Sequence, residues 1–350
     1  MKNIADKIKG CFLGGAVGDA LGYAVEFYSE DKILETYGKN GITDYALCGG
    51  TAMISDDTQM TVFTADGVIR AAERGLTTVD GFVRCIYESY RNWLYTQDKR
   101  YPTGEGVAVS ALLQRKEFFS VRAPGCTCLS ALRSGRCGSF TEKINDSKGC
   151  GGVMRIAPVA LLFAQKTAVG EQTVGQVAAR AAAITHTHPL GYIPAAFAGI
   201  LLCKFLRGNT EVFSAVEDAL VQTEELFAKE GVDDSLSYFR TLIERAVALA
   251  QDKNIADDLD AIRDLGEGWV AEETVAIAVY CTLRYRNDFE RAIVASVNHG
   301  GDSDSTGAVT GNLMGALLGC SAIPERFLAP LELRDVLENL SDKLCALGGK

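Results

Sequence analysis

The sequence predicts an all-α protein that folds as a single compact multi-helix domain spanning residues 1–350. Apolar residues recur at helical spacing along most of the chain, whereas the apolar–polar alternation typical of strands is scarce. A chain of 350 residues is long enough for two domains, but no linker, repeat or low-complexity segment divides it. Two segments also carry glycine at every fourth position, which indicates closely packed helices.

Composition excludes several classes of function. With 47% hydrophobic and 23% charged residues, the chain has enough apolar surface to build a large core. Its formal net charge is −10 and it contains no basic run, so we expect no nucleic-acid partner.

Cysteine usage and the apolar segments bear on location. The cysteine count is 11, an odd number, and the nearest pair, Cys126 and Cys128, has no second pair at zinc-finger spacing. We therefore expect reduced thiols and a cytoplasmic protein. Lysines precede the apolar run 11–17, but Asp19 and several glycines interrupt the signal-peptide pattern. No stretch reaches the roughly 18 uninterrupted apolar residues of a membrane helix, so we expect no membrane partner.

The first element is predicted as a helix over residues 4–26 that ends in Glu26. Its glycines recur every four residues and so share one face; they are Gly10, Gly14, Gly18 and Gly22. A second predicted helix near the C-terminus has the same four-residue spacing of glycines, at Gly307, Gly311, Gly315 and Gly319. Because glycine lowers helix propensity, eight such positions need a packing reason. We expect the two helices to pack against each other or against the same neighbour.

A first acidic turn follows a glycine-rich loop. Ser55, Asp56, Asp57 and Thr58 precede a mostly apolar helix. A further amphipathic helix is predicted over residues 78–96, and its apolar side chains are interpreted as plain core.

The middle of the chain is predicted to be irregular. Residues 96–106 are polar and turn-like, and residues 121–152 form a long loop with at most a short helix near 128–133. Long loops in compact domains are usually functional or disordered. This one closes on a glycine-rich turn, residues 149–152, ahead of the apolar run 156–164. Backbone N–H groups of such a turn can bind an anion, although the turn matches neither the Walker loop nor the dinucleotide fingerprint.

The second half reads as successive helices. They are predicted over residues 174–184, 193–207, 211–228, 236–250 and 275–286, with an acidic stretch at 252–267. His186 and His188 stand two residues apart, a spacing that does not share a helix face, and a third ligand is missing nearby, so zinc is not expected there.

A second acidic turn, residues 298–307, opens the C-terminal glycine helix. Asp302 and Asp304 alternate with hydroxyl residues between flanking glycines, which favours a hard cation such as Mg²⁺. An EF-hand is excluded because its twelfth position, which must be glutamate, is Leu313. An acidic N-cap on a core helix is the alternative interpretation of this turn alone.

Taken together, five motifs in this order resemble the ADP-ribosylglycohydrolase family over nearly the whole chain. The motifs are Gly18-Asp19-Ala20-Leu21-Gly22 with Glu26, Ser55-Asp56-Asp57-Thr58, Gly149-Cys150-Gly151-Gly152-Val153-Met154-Arg155, Thr185-His186, and Gly301-Asp302-Ser303-Asp304-Ser305. The resemblance implies an all-α fold of that type, with a central cleft that binds ADP-ribose and two divalent cations, Mg²⁺ or Mn²⁺.

The resemblance also implies roles for individual residues. The implied metal ligands are Ser55, Asp56, Asp57, Asp302, Asp304 and Ser305. Glu26 would match the family's mobile glutamate, and the implied catalytic residues are Glu26 and Asp304. The implied substrate-binding residues are Ser147, Gly149, Cys150, Gly151, Gly152, Met154 and His186.

Three departures from the family pattern qualify these roles. Ser55 and Ser305 stand where threonine is frequent, which keeps the oxygen ligand. Cys150 stands where many members have asparagine, so a side-chain hydrogen bond at that point is in doubt. Residues 96–106 match no motif for a particular acceptor of ADP-ribose.

The expected activity is metal-dependent hydrolysis of the N- or O-glycosidic bond between ADP-ribose and a modified side chain, with arginine favoured. Such hydrolysis passes through an oxocarbenium-like state that nearby carboxylates stabilise. The expected partner is an ADP-ribosylated protein or an ADP-ribose-containing small molecule, and the protein is expected to be a monomer or weak oligomer. The alternatives are a non-catalytic ADP-ribose binder, an immunity-type protein that counters a transferase, and a two-metal hydrolase acting on another phosphorylated or ribosylated small molecule.

Overall fold

The computed structural model describes residues 4–102 and 110–349, and within them the fold is a helical bundle. Its sixteen α-helices are α1 (Ile4–Gly22), α2 (Glu30–Tyr37), α3 (Asp56–Glu73), α4 (Val79–Asp98), α5 (Cys126–Arg133), α6 (Ala157–Phe163), α7 (Glu171–Ala183), α8 (Pro189–Leu206), α9 (Val212–Phe227), α10 (Asp233–Gln251), α11 (Asp258–Leu265), α12 (Ala271–Arg284), α13 (Phe289–Val297), α14 (Ser303–Leu318), α15 (Glu325–Leu328) and α16 (Arg334–Gly348). Across these two ranges the β pairing is limited to three isolated bridges, so the all-α prediction is confirmed.

At the centre of the bundle, α1 and α14 lie antiparallel with their glycine faces in direct contact. A Cβ atom on Gly10 would lie 2.7 Å from the carbonyl oxygen of Gly315, and one on Gly307 would lie 2.5 Å from that of Gly18. Those separations are too short for any side chain, so the backbones touch. The close approach of each helix therefore explains why the other has glycine on the facing side. Of the two expected arrangements, the structure shows the helices packed directly against each other and not against a shared neighbour.

Helix α8 is a long apolar helix in the core. By length and composition it alone among the helices of the described residues could cross a membrane, but 94% of it is buried inside the bundle. Lys204 near its end is also buried and pairs with Glu171 at 2.9 Å. Its apolar surface is thus covered by neighbouring helices, as expected for a core helix.

Several helix boundaries and helices differ from the sequence prediction. Helix α1 ends at Gly22, and Glu26 lies in a separate turn, not at the helix end. Helices α2, α11, α13, α15 and α16 were not predicted. Two of them, α2 and α11, have only eight residues each, which is shorter than the window over which helical periodicity can be recognised.

The two irregular segments behave differently. Helix α4 continues to Asp98, so the start of the polar stretch 96–106 is helical; residues 103–109 lie outside the described residues. Within the loop 121–152, α5 (Cys126–Arg133) is the short helix that was expected. The glycine turn forms a 3₁₀ helix, Cys150–Gly152, and α6 begins only at Ala157. The turn is therefore separated from α6 by residues 153–156 and does not itself begin that helix.

Candidate active site

The candidate site lies where the C-terminal end of α1 meets the N-termini of α3 and α14. Asp19 on α1 is fully buried, and its carboxylate accepts hydrogen bonds from Ser55 N (3.0 Å) and Thr58 N (3.0 Å) and from the Thr58 hydroxyl. These bonds satisfy N–H groups that the first turn of a helix leaves free. Asp19 therefore fixes the first acidic turn to the glycine helix pair.

The two acidic turns contact each other through serine side chains. At one contact the two residues, Asp57 and Ser305, are 248 positions apart in the sequence. Ser305 Oγ donates to Asp57 Oδ2 at 2.8 Å. Ser55, the N-cap of α3, lies near the Asp304 carboxylate and lowers its pKa, against the larger rise caused by burial. The structure thus brings Asp56, Asp57, Asp302 and Asp304 to one place, all of them at least 96% buried.

The electrostatics of this cluster are dominated by burial and mutual repulsion. Burial and the neighbouring Asp304 carboxylate raise the pKa values of Asp56, Asp57 and Asp302 well above the usual range. The same two causes raise the pKa of Asp19 to about 7, although its hydrogen bonds to Thr58 and Ser55 oppose the shift. Asp304 is therefore the carboxylate whose charge contributes most to raising the pKa values of the other four.

Glu26 approaches the cluster from the turn that follows α1. Its side chain is only 7% exposed, and Oε2 has no hydrogen-bond partner among the described residues. Burial, followed by repulsion from Asp304, Asp302 and Asp56, raises the pKa of its carboxyl group. An unpartnered carboxylate oxygen in such a place is costly unless something else binds it.

Both clusters and the glycine turn line one open cleft of about 480 Å³. The predicted site residues that line it are Glu26, Asp56, Asp57, Gly149, Cys150, Gly151, Met154, His186, Asp302, Asp304 and Ser305. Three others lie just behind the wall. Ser55 caps α3, Ser147 hydrogen-bonds to Thr127 Oγ1 at 3.0 Å, and Gly152 packs on Gly191, whose carbonyl oxygen would lie 2.7 Å from an added Cβ.

The loop that leads into α12 holds the glycine turn beside the second acidic turn. Cys150 N donates to Trp269 O at 3.1 Å, and Asp302 N donates to Glu267 O at 2.8 Å. On the other side of the turn, Lys148 forms an ion pair with Glu272, which is fully buried. The relative position of the two halves of the cleft is therefore fixed by backbone contacts with residues 267–269.

The side chain of Cys150 forms a hydrogen bond, although the sequence left such a bond in doubt because asparagine is frequent at this position in the family. Its thiol donates to Asp302 Oδ2 at 2.7 Å. Burial, followed by repulsion from Asp302 and Asp57, raises the thiol pKa well above its ordinary value. The protonated thiol thus supplies a hydrogen bond to the second acidic turn.

Sequence reasoning missed several residues of the site. Phe27 and Trp269 stack at the cleft wall with ring centroids 6.3 Å apart, and they stay 72% and 40% exposed. Asp19 belongs to the first of the five motifs, but the sequence assigns it no metal-binding, catalytic or structural role. A lone carboxylate within an apolar glycine helix was the available signal for Asp19, whereas nothing in the sequence marks Phe27 and Trp269 as neighbours.

The residues present suit a hard divalent cation in their chemistry. In the part of the chain that the structure describes, no three His, Cys, Asp or Glu side chains are already arranged around a metal position. However, the cluster gathers four buried carboxylates and two serine hydroxyls, and Glu26 adds an unpartnered oxygen. Such an all-oxygen donor set is what Mg²⁺ and Mn²⁺ prefer.

Comparison with known proteins decides the family. The whole chain, residues 1–350, matches the family model described as ADP-ribosylglycohydrolase. The chain belongs to the ADP-ribosylglycohydrolase family. The five ordered motifs that suggested the resemblance are thus part of a match that extends over the entire sequence.

Individual relatives are distant but span nearly the full length. The chain is 28% identical to the ADP-ribosyl-[dinitrogen reductase] glycohydrolase of Rhodospirillum rubrum, covering 99% of this chain and 98% of that protein. It is 25% identical to the ADP-ribosylhydrolase ARH3 of Mus musculus, covering 91% and 85% respectively. A solved ADP-ribosylglycohydrolase-related protein complex contains a chain with the same fold, with a TM-score of 0.67 at 24% identity over 99% of this chain and 100% of that one.

Members of the ADP-ribosylglycohydrolase family are glycosidases that act on ADP-ribosylated substrates, and membership indicates a hydrolase of that class. The fold agrees with that of the family, since the matched structure covers the helical domain from end to end.

Proposed function

We propose that the protein hydrolyses the glycosidic bond between ADP-ribose and an arginine side chain of a modified protein, and that it needs two Mg²⁺ or Mn²⁺ ions to do so. The observation that carries this proposal is the convergence of two acidic turns and an unpartnered glutamate on one cleft beside a glycine turn. When bound, the two cations would orient the ribose hydroxyls and a water molecule and would neutralise the cluster.

The charge of the cleft supports the need for cations. Five of its lining residues are acidic, and none of the described lining residues is lysine or arginine. ADP-ribose carries a negatively charged pyrophosphate, which such a cleft would repel without added positive charge. The ligands would be Asp56, Asp57, Asp302 and Asp304, together with Ser55 and Ser305.

The residues of the chain would bind the substrate, activate the water molecule and stabilise the charge that develops. The glycine turn, residues 149–152, would hold the pyrophosphate through its backbone N–H groups. A Cβ atom at Gly151 would lie 2.8 Å from Cys128 Sγ, so there is little room for a side chain in this turn. Glu26 would position the attacking water and accept its proton, and Asp304 would share that role. The remaining carboxylates would stabilise the positive charge that develops on the ribose.

The charge of the leaving group favours arginine as the acceptor. A guanidinium group bonded to the ribose is already cationic and leaves as neutral guanidine, so it needs little protonation. The name of the Rhodospirillum rubrum relative indicates that it acts on a modified protein, which is consistent with a protein-linked substrate here. We further propose a cytoplasmic, monomeric or weakly associating enzyme.

Hydrolysis of defined peptides tests the activity. In saturating Mg²⁺ or Mn²⁺, we expect single-turnover release of ADP-ribose from an arginine-linked peptide, slower release from a serine-linked one, and none from either after chelation. Calorimetry should show binding of two cations. If ADP-ribose binds but neither peptide is cleaved, the protein is a non-catalytic binder; if chelation leaves the rate unchanged, the metal requirement is wrong.

Replacing Glu26 with glutamine should lower the turnover rate without removing the cations. The amide keeps the shape of the side chain but cannot accept a proton, so we expect a loss of about 10²- to 10⁴-fold in kcat. Metal-induced thermal stabilisation should persist, because Glu26 lies outside both acidic turns. Glu35→Gln, on an exposed helix face, is the matched control. A parental kcat for Glu26→Gln would remove Glu26 from the mechanism.

A further inference from the structure

Arg155 is fully buried behind the glycine turn, and its partners carry no charge. Its guanidinium donates to Cys128 Sγ and to Met60 Sδ (3.3 Å each) and to Thr185 Oγ1 (2.6 Å). It also lies 4.3 Å from the ring centroid of Tyr90. A buried cation without a carboxylate beside it is expensive, so a requirement other than an ion pair has to explain its position.

Two hydrogen-bond chains lead from this guanidinium to the cleft. In the first, Cys128 accepts from Arg155 and its thiol donates to the Gly151 carbonyl at 3.9 Å. In the second, Thr185 Oγ1 accepts from Arg155 and lies 2.8 Å from His186 Nδ1. The first chain therefore ends at the glycine turn, and the second ends at the imidazole of His186.

The second chain determines which ring nitrogen of His186 carries the proton. Arginine can only donate, so the Thr185 oxygen is an acceptor towards Arg155 and its own proton remains to be given. The other hydrogen-bond partner of the Thr185 hydroxyl is His186 Nδ1, which can accept this proton. Nδ1 is then an acceptor, which leaves the ring proton on Nε2.

His186 Nε2 faces the glycine turn. A Cβ atom built on Gly149 or on Gly151 would lie 3.4 Å from it, so the two glycines leave room for the ring. His186 lines the cleft. Burial, and then the charge of Arg155, lower the pKa of its imidazole to about 3, so the ring stays neutral.

We propose that Arg155 is a positioning residue that acts through Thr185: it holds His186 in the Nε2–H tautomer, so that His186 presents a single neutral N–H donor to an anionic oxygen of the bound diphosphate. The choice of ligand rests on the proposed function. The tautomer itself depends only on the three side chains and can be measured without ligand.

The test uses nitrogen NMR on the full-length protein labelled at histidine, which is practical because the chain has only 3 histidines. His186→Gln and His188→Gln assign the signals. In the ligand-free parent we expect a neutral His186 with the proton on Nε2 throughout pH 5.5–8. Thr185→Val keeps the shape and removes the hydroxyl, and should produce a mixture of tautomers. Thr185→Ser should restore the parental spectrum.

Ligand affinity supplies the second readout. Inorganic pyrophosphate and ADP-ribose should shift the His186 Nε2 signal of the parent and bind Thr185→Val about tenfold more weakly, as expected for loss of one hydrogen bond to a charged group. Thr185→Ser should bind like the parent. An Nδ1–H or doubly protonated His186 in the parent overturns the proposal, and so does unchanged affinity in Thr185→Val.

These outcomes separate the inference from the proposed function. A parent that shows the Nε2–H tautomer and the affinity changes, yet cleaves no peptide, contradicts only the hydrolase activity. A parent that cleaves peptides but holds the other tautomer contradicts only the role of Arg155. A parent that binds neither pyrophosphate nor ADP-ribose contradicts both.

Discussion

Asp304→Asn should nearly abolish turnover while leaving the fold intact. Asp304 is the leading carboxylate neighbour of Asp56, Asp57 and Asp302 in the cluster. An amide has the same shape but no charge, so it ligates a divalent cation poorly and cannot accept a proton. We expect single-turnover hydrolysis of an arginine-linked ADP-ribosyl peptide to fall by more than about 10³-fold, since metal binding and proton transfer are both affected.

Stability measurements distinguish this effect from misfolding. Without metal, Asp304→Asn should melt at or above the temperature of the parent, because one charge is removed from a repulsive buried cluster. With Mg²⁺ the parent should gain stability as its cations bind, and the variant should gain much less. Asp342→Asn, at a carboxylate whose side chain is 73% exposed, is the matched control. Parental turnover in Asp304→Asn would show that the reaction takes place elsewhere.

Gly311→Leu should destabilise the whole protein. A Cβ atom at Gly311 would lie 2.5 Å from the carbonyl carbon of Gly14 and 2.9 Å from Gly15 N, and both are backbone atoms of the facing helix. Backbone cannot move aside as a side chain can, so α1 and α14 would have to separate. We expect a loss of at least about 3 kcal/mol in the free energy of unfolding, at or beyond the upper end of ordinary overpacking.

Denaturant unfolding measures this loss, and a second glycine provides the control. Gly170, the N-cap of α7, also lacks a positive φ, but nothing lies within 4 Å of an added Cβ there. Gly170→Leu should therefore unfold close to the parent. Because α1 carries Asp19 and leads to Glu26, Gly311→Leu should also weaken metal binding. Equal midpoints for the parent and Gly311→Leu would show that the two helices do not meet as described.

The sequence alone indicated the helical class of the fold and the two acidic turns and the glycine turn of the candidate site. Glycine at every fourth position can be read directly, because helical periodicity places those residues on one face. The acidic turns and the glycine turn were visible because their chemistry is local: each collects its donors within about ten residues. The same local logic excluded an EF-hand at residues 298–307 and found α5 within a long loop.

The sequence pattern could not predict the short helices or the residue at which α1 ends. Eight-residue helices such as α2 and α11 offer too few turns for a period to show. The apolar character of α1 continues through Val25, which is fully buried, so the pattern gave no reason to stop at Gly22. Glu26 therefore lines the cleft from a turn that follows α1 and not from the helix itself.

Tertiary structure alone decided how the local parts combine. Which helix faces the glycines of α1, which turn receives the Ser305 hydroxyl, and how Arg155 reaches His186 all depend on contacts between segments far apart in sequence. No periodicity encodes such pairings, because many apolar faces are compatible in principle and close packing selects one arrangement. The sequence therefore shows which chemical groups the site contains, and the packing of α1 against α14 brings those groups close together.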